Sequence, residues 1–484
     1  MRELEELEPK KVFYYFEELC GIPHPSYKEK RISDYLVGFA KERGLEHYQD
    51  DLYNVVMIAP ATAGYEDEEP VILQGHMDMV CEKEPDCGID FENDGLKLLI
   101  DGDYVTAQGT TLGGDDGIAI AYALAILDSP DIAHPRLEII FTASEETGME
   151  GASGVDLSML KGHKLLNLDS ETEGVMTVSC AGGNSSVCHV PVAYEAGSGS
   201  ALSLRVGGLK GGHSGVEIDK GRANANRVMG RLLLALEQSG VDYALAALSG
   251  GAKQNAIPRE ACATVLVAEE AADAAKRALE DAAAQIKNEY ATTDPGLTLF
   301  IEESGEQQMQ ALQSPSKNSV VMLLNNLPGG IQSMSADIPG LVETSLNMGI
   351  VALDEKEFRA EFAVRSSVES ARDALTARIR NLAEYAGGTV TVGGVYPAWE
   401  YRKDSVLRED AARIFREMYG KEPKIEAIHA GLECGILAGK IDGLDGISIG
   451  PDMCDVHTFG EKLSISSTKR VFDFVVELLK CRHA

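Results

Sequence analysis

A chain of 484 residues is too long for one ordinary hydrophobic core and points to two domains. Its 77 Asp and Glu against 44 Lys and Arg leave a net charge of -33, which repels phosphate backbones and anionic lipid and so excludes nucleic acid as a partner. No run approaches the roughly 20 apolar residues that span a bilayer, so a membrane partner is excluded as well. The N-terminus, Met1-Arg2-Glu3-Leu4-Glu5-Glu6, lacks the basic and apolar regions of a signal peptide. Nine cysteines without C-x-x-C spacing, among them Cys20, Cys81, Cys180, Cys188 and Cys434, read as free thiols in a reducing compartment. The expected location is the cytoplasm.

Apolar positions Val12, Phe13, Phe16 and Leu19 recur at helical spacing and stop at Gly21. A second helix follows through Ile32, Leu36 and Phe39, then strands near 54–58 and 71–76. The latter runs Val71-Ile72-Leu73 into Gln74-Gly75-His76-Met77-Asp78. Residues two apart on a strand share a side, so His76 and Asp78 can act together. After a polar loop, Gly113-Gly114-Asp115-Asp116-Gly117 opens an Ala-rich helix over 118–127. The strand at 137–142 leads into Ser144-Glu145-Glu146, and the strand at 164–168 leads into Asp169. Strands alternating with helices predict an α/β domain, a mostly parallel sheet flanked by helices, with ligands at the carboxyl ends of its strands. His76, Glu145, Glu146 and Asp169 all fall there.

From about Asn184 the pattern changes. Gly197-Ser198-Gly199-Ser200 reads as a loop. Strands near 202–206, 263–267, 298–301, 342–350, 358–364 and 389–395, with helices at 224–237, 271–288 and 372–385, predict an α+β insert with an antiparallel sheet. The first pattern resumes after Pro397 with helices at 407–419, 432–438 and 468–479 and a strand at 447–449. The predicted domains are therefore 1–184 and 397–484 as two parts of one α/β domain, and 185–396 as the insert. Asp116 reads as a helix N-terminal residue, while His134, His163 and His189 read as surface residues. His429 is unassigned. The glycines at 207–208 and 211–212 fit neither nucleotide nor dinucleotide fingerprints.

The carboxylates and imidazoles of His76, Asp78, Asp115, Asp116, Glu145, Glu146, Asp169 and Asp455-Val456-His457 would repel at strand ends unless cations neutralised them. Imidazole nitrogen and carboxylate oxygen suit zinc, and two ions about 3.5–4 Å apart require a shared carboxylate. This set, in this order, resembles the dizinc peptidase family that contains aminoacylase, carnosinase and the cytosolic dipeptidases, over essentially the whole chain.

The resemblance implies that His76 and Asp169 hold one Zn2+, Glu146 and His457 the other, and Asp115 bridges them, with Co2+ or Mn2+ also acceptable. It implies that Asp78 orients His76 and that Glu145 is the general base for a zinc-bridged hydroxide attacking a dipeptide, Xaa-His included. It also implies a cis bond between Asp115 and Asp116. His213 would stabilise the oxyanion, and Arg365, Asn255 and the Gly431 N–H would capture the substrate carboxylate. The insert would then be a lid, closing over the site or completing it from a neighbouring subunit, and would form a homodimer. Asp rather than Glu at position 169 goes with aminopeptidase or dipeptidase action. N-acyl-amino-acid deacylase or tripeptidase activity is the alternative within the family. A non-catalytic relative is disfavoured because Glu145 and all five ligand positions are present.

Overall fold

The structure, a computed structural model, describes residues 2–482. It divides into two units. One runs to Cys180 and resumes over Trp399–Ala427 and from Leu432 onward; the other comprises Ala181–Ala398 and the short return Ile428–Gly431.

The first unit is built on an eight-stranded sheet. Its four central strands, Leu137–Thr142, Val71–His76, Lys164–Asn167 and Asp445–Ser448, run parallel in that order. Antiparallel strands Val55–Ala59 and Val175–Cys180 flank them. Every residue of Val71–His76 and Leu137–Thr142 is buried, Gln74, His76, Glu138 and Thr142 included, because both faces of the sheet are covered. The register sets His76 opposite Thr142, so those two strands end level, and Gln74 opposite Asn167, so the third strand ends two residues earlier and Asp169 follows two residues on. The helix Gly114–Leu127 is buried along nearly its whole length, because its Ala and Ile residues leave no polar face. Tyr122 on this helix stacks on Phe472 at 5.6 Å and donates its hydroxyl to the Thr468 carbonyl at 2.8 Å.

The polar stretch expected as a loop before residue 110 contains a hairpin, Leu98–Asp101 and Tyr104–Ala107, turned at Gly102 with φ +62. Tyr104–Ala107 pairs with Lys462–Ser464, which pairs with Met453–Cys454. His457 thereby sits on the loop between two strands of this small sheet.

The second unit is a nine-stranded sheet with every recorded pairing antiparallel. Burial alternates strictly along Glu357–Ser366, and its inward residues Phe358, Ala360, Phe362 and Val364 join one core with the helices. Those helices are Ala225–Gln238, Ala272–Glu289, Ser314–Asn326 and Glu369–Tyr385, which contribute Leu232, Leu279, Leu324 and Ile379. Residues 197–200 are not a loop but lie inside the strand Tyr194–Gly207. A Cβ at Gly199 would meet the Val267 carbonyl oxygen at 2.4 Å, and the register shifts between Ser200 and Leu202. The glycines there mark a bulge with close backbone approach.

His134 is buried rather than on the surface, its Nδ1 against the Pro135 carbonyl at 2.7 Å. The nine cysteines are unpaired. Among the described residues no helix is long and apolar enough to cross a membrane.

Candidate metal centre

His76 is the last residue of its strand, and its ring is fixed from behind. Nδ1 lies 3.0 Å from the Asp78 carbonyl oxygen, which can only accept, so Nδ1 carries a hydrogen and Nε2 faces forward. The Asp78 carboxylate has another task. Its Oδ1 accepts the Glu145 N–H at 2.9 Å, and its Oδ2 accepts the Glu146 N–H at 3.2 Å and the Ser26 hydroxyl at 2.7 Å. Asp78 thus ties the end of one strand to the turn after its neighbour, while keeping Oδ1 3.4 Å from His76 Nδ1.

Asp115 stands between two imidazoles. Its Oδ1 is 3.0 Å from His76 Nε2, and its Oδ2 is 3.1 Å from His457 Nε2. His457 Nε2 is also 2.8 Å from Glu146 Oε1, and His76 Nε2 is 3.6 Å from Asp169 Oδ1. The Asp115–Asp116 peptide is cis, as the family resemblance implies. Asp116 falls within the first helical span but has non-helical φ −121 and ψ 33; it is buried, and its Oδ2 accepts the His76 N–H at 3.2 Å. A Cβ at Gly75 would lie 2.4 Å from that oxygen, so the strand can pass Asp116 only as glycine.

Among the described residues no Lys or Arg forms an ion pair with Asp115, Asp116, Glu145, Glu146 or Asp169. The electrostatics follow. Burial pushes the Glu145 carboxyl up to about 8, with Glu433, Glu146 and Asp115 adding to the rise. Burial, reinforced by neighbouring carboxylates, holds Asp169 and Asp116 well above the ordinary carboxylate range. Hydrogen bonds to Asp115 and Glu146 raise His457 to about 10. Burial disfavours charge on His76, but its bonds to Asp115 and Asp78 outweigh that and raise it.

Protons are being retained where carboxylates outnumber cations, and divalent ions would replace them. Three groups have ligand atoms within 4.8 Å of one another: His76, Asp116 and Asp169; His76, Glu145 and Glu146; and Asp115, Glu146 and His457. The donor set, imidazole nitrogen with carboxylate oxygen, fits two such ions.

Three buried carboxylates escaped the sequence reading. Glu29 Oε1 accepts the N–H and the hydroxyl of Ser144 at 2.9 and 2.7 Å, holding the turn before Glu145, where Ser144 has φ +53. Glu433 Oε2 accepts from Gln74 and Thr142 at 2.6 and 2.7 Å, and burial lifts it to about 7. Glu461 binds main-chain N–H groups before Asp115. None stands in a motif, so only tertiary contact identifies them.

The remaining expected residues lie in the second unit. His213 pairs with Ala256 in a two-residue ladder, which brings Asn255 beside it, and the Ser214 N–H donates to the Asn255 carbonyl at 2.9 Å. A Cβ at Gly215 would be 2.9 Å from His213 Cε1 and 3.2 Å from Arg365 Nε, so both side chains close on this glycine. Arg365 donates to the Tyr396 hydroxyl at 2.9 Å, while its buried Nε has no protein partner. Arg365 and Asn255 line a cavity of about 410 Å³ with Lys253 and Tyr396. Gly431 ends the return segment, in which His429 is buried, bonded to Ser345 Oγ at 2.7 Å, and lowered to about 4 by burial and by Arg365.

Residues 205–294 match the peptidase dimerisation domain of M20 proteins. The cytosol non-specific dipeptidase of Escherichia coli (strain K12) is 37% identical over 482 residues, 99% of each chain. The crystal structure of aminoacylhistidine dipeptidase from Vibrio alginolyticus superposes with a TM-score of 0.94 at 36% identity, covering 100% of this chain and 99% of that one. Aminopeptidase PepT from Bacillus cereus shares the fold, with a TM-score of 0.54 at 17% identity and 98% of each chain covered. Identity at this level along the entire length, on a fold whose strand ends gather imidazoles and carboxylates, places the chain in the M20 family of metallopeptidases.

Proposed function

We propose that this protein is a dipeptidase of broad specificity, Xaa-His dipeptides included, working with two zinc ions. The observation that carries the reading is the Asp115 carboxylate, whose two oxygens face His76 and His457 separately. His76 and Asp169 would hold one cation, Glu146 and His457 the other, and Asp115 would serve both. When bound, the cations supply Lewis acidity and acidify the attacking water.

Glu145 takes the proton from that water and returns one to the leaving amine, the two transfers open to a positioned carboxyl that is not itself assigned as a ligand. Asp78 holds the Glu145 N–H, and through its carbonyl the His76 ring, so one residue sets the base and a ligand together. Neutral His213, its charge disfavoured by burial and by Arg365, donates to the developing oxyanion. Arg365, Asn255 and the Gly431 N–H bind the free carboxylate of a dipeptide, a planar group suited to a guanidinium. The matched dimerisation domain supports a homodimer through the second unit, and the cytosolic relative supports a cytoplasmic location.

The deciding experiment assays the purified protein, stripped and reloaded with Zn2+, Co2+ or Mn2+, on Ala-His, other dipeptides, tripeptides and N-acetyl amino acids. Chelator-sensitive cleavage of dipeptides is expected. Activity confined to tripeptides or N-acetyl amino acids would replace this reading with that alternative.

A further inference from the structure

The loop that presents Asp115 is pinned at four consecutive main-chain groups. The N–H groups of Leu112 and Gly113 donate to Oε2 of Glu461 at 2.7 and 3.2 Å, and those of Gly114 and Asp115 donate to Oε1 at 2.8 and 3.4 Å. Glu461 is only 2% exposed. A buried carboxylate is well matched to a cluster of main-chain N–H groups, since its two oxygens together offer about four acceptor sites.

The same residue is tied to His457. It stands four positions beyond it, on the loop bounded by Met453–Cys454 and Lys462–Ser464. That loop is stiffened internally. The Thr458 hydroxyl donates to the Asp455 carbonyl at 2.7 Å, the Gly460 N–H to Thr458 Oγ1 at 3.1 Å, and the Glu461 N–H to the Thr458 carbonyl at 3.1 Å. Thr106 Oγ1 donates to the Glu461 carbonyl at 2.8 Å, joining it to the strand Tyr104–Ala107. Glu461 is therefore the short connection between two chain segments that meet where Asp115 Oδ2 approaches His457 Nε2.

We propose that Glu461 is a positioning residue of the metal centre: by gripping the Leu112–Asp115 main chain it sets the separation of Asp115 from His457, and with it the affinity for the cation they share. The proposal rests on the metal centre described under the proposed function. Side chains that orient ligands without touching metal typically change affinity 10- to 100-fold.

The test compares wild-type protein with Glu461→Gln, which keeps the volume but turns an NH2 toward N–H donors. Two readouts are taken: zinc affinity by competition with a chelating dye, and amide exchange at 112–115 in the metal-free proteins. The expected result is zinc binding weakened by about 10- to 100-fold and faster exchange at 112–115, with exchange in the second-unit sheet unchanged. Glu461→Asp, which keeps the charge on a shorter arm, should fall between the two. A folded Glu461→Gln protein with wild-type zinc affinity overturns the proposal, even if its thermal stability is reduced. If that variant does not fold, wild-type affinity in Glu461→Asp overturns it equally. Failure of wild-type protein to take up zinc would instead sink the metal-centre reading, and the exchange comparison would still decide whether Glu461 grips the loop.

Discussion

Asp115 Oδ2 lies 3.1 Å from His457 Nε2, although 342 positions separate the two residues. The contact joins the start of one buried helix to the tip of a small-sheet loop. Replacement of Asp115 by Asn should therefore weaken binding of both ions, while His457→Ala should lower the stoichiometry from two ions toward one. Metal analysis after gel filtration checks both.

In the proposed mechanism Glu145 is the base, since the positions assigned as ligands leave it free for proton transfer. Glu145→Ala should lower kcat by about 10²- to 10⁴-fold, the range for a positioned acid–base group, with zinc content unchanged. Retained chelator-sensitive turnover in that variant would remove Glu145 from the role.

Metal-free protein should lose stability as pH rises. His457 is held near 10 in the folded state against an ordinary value of 6.5, so its contribution is complete below about 6.5 and is lost as pH climbs through 10. Glu145, raised from 4.5 to about 8, acts with the same sign between those values. On the proposed reading a bound cation takes the place of the His457 proton. The gap in Tm between zinc-loaded and stripped protein should therefore widen from pH 6 to pH 9, as scanning calorimetry can show; a gap that narrows would contradict the proton-for-metal exchange.

Gly75→Ala would place a methyl group 2.4 Å from Asp116 Oδ2 and 2.5 Å from Ala119 Cβ, both fully buried. Overpacking of this kind costs about 1–3 kcal/mol. Urea unfolding should show that loss, accompanied by weaker metal binding because His76 is the next residue.

Arg365→Ala should raise KM for dipeptides by about 10- to 100-fold, the worth of a charge-assisted hydrogen bond, and abolish the preference for a free C-terminal carboxylate over its amide. A variant that still discriminates between Ala-His and its amide would assign carboxylate recognition elsewhere.

The strands 71–76 and 137–142 were legible from the apolar runs Val71-Ile72-Leu73 and Ile139-Ile140-Phe141, as a sheet covered on both faces demands, and the residues at and just beyond their ends were legible as candidate ligands because that is where such sheets place them. The hairpin at 98–107 was not, since Leu99 and Ile100 are exposed and the flanking residues are polar. Gly197 and Gly199 mimicked a turn because a bulge needs the same conformational freedom. The return of the chain at Ile428–Gly431, which brings His429 to Ser345, carries no local signal. Glu29, Glu433 and Glu461 were hidden for the same reason: a buried carboxylate in contact with distant main chain looks, in sequence, like any acidic residue.

The strand Asp445–Ser448 lies inside the first unit's sheet, next to Lys164–Asn167, yet it is made only after the whole 181–398 segment. During synthesis the amino-terminal part emerges with Asp115, Glu146 and Asp169 in place but with an open seam in its sheet and no His457. The ribosome must pass residue 448 before that seam can close. An abortive product truncated ahead of residue 445 is thus left with an unpaired sheet edge, prone to aggregation, and with an incomplete grip on metal.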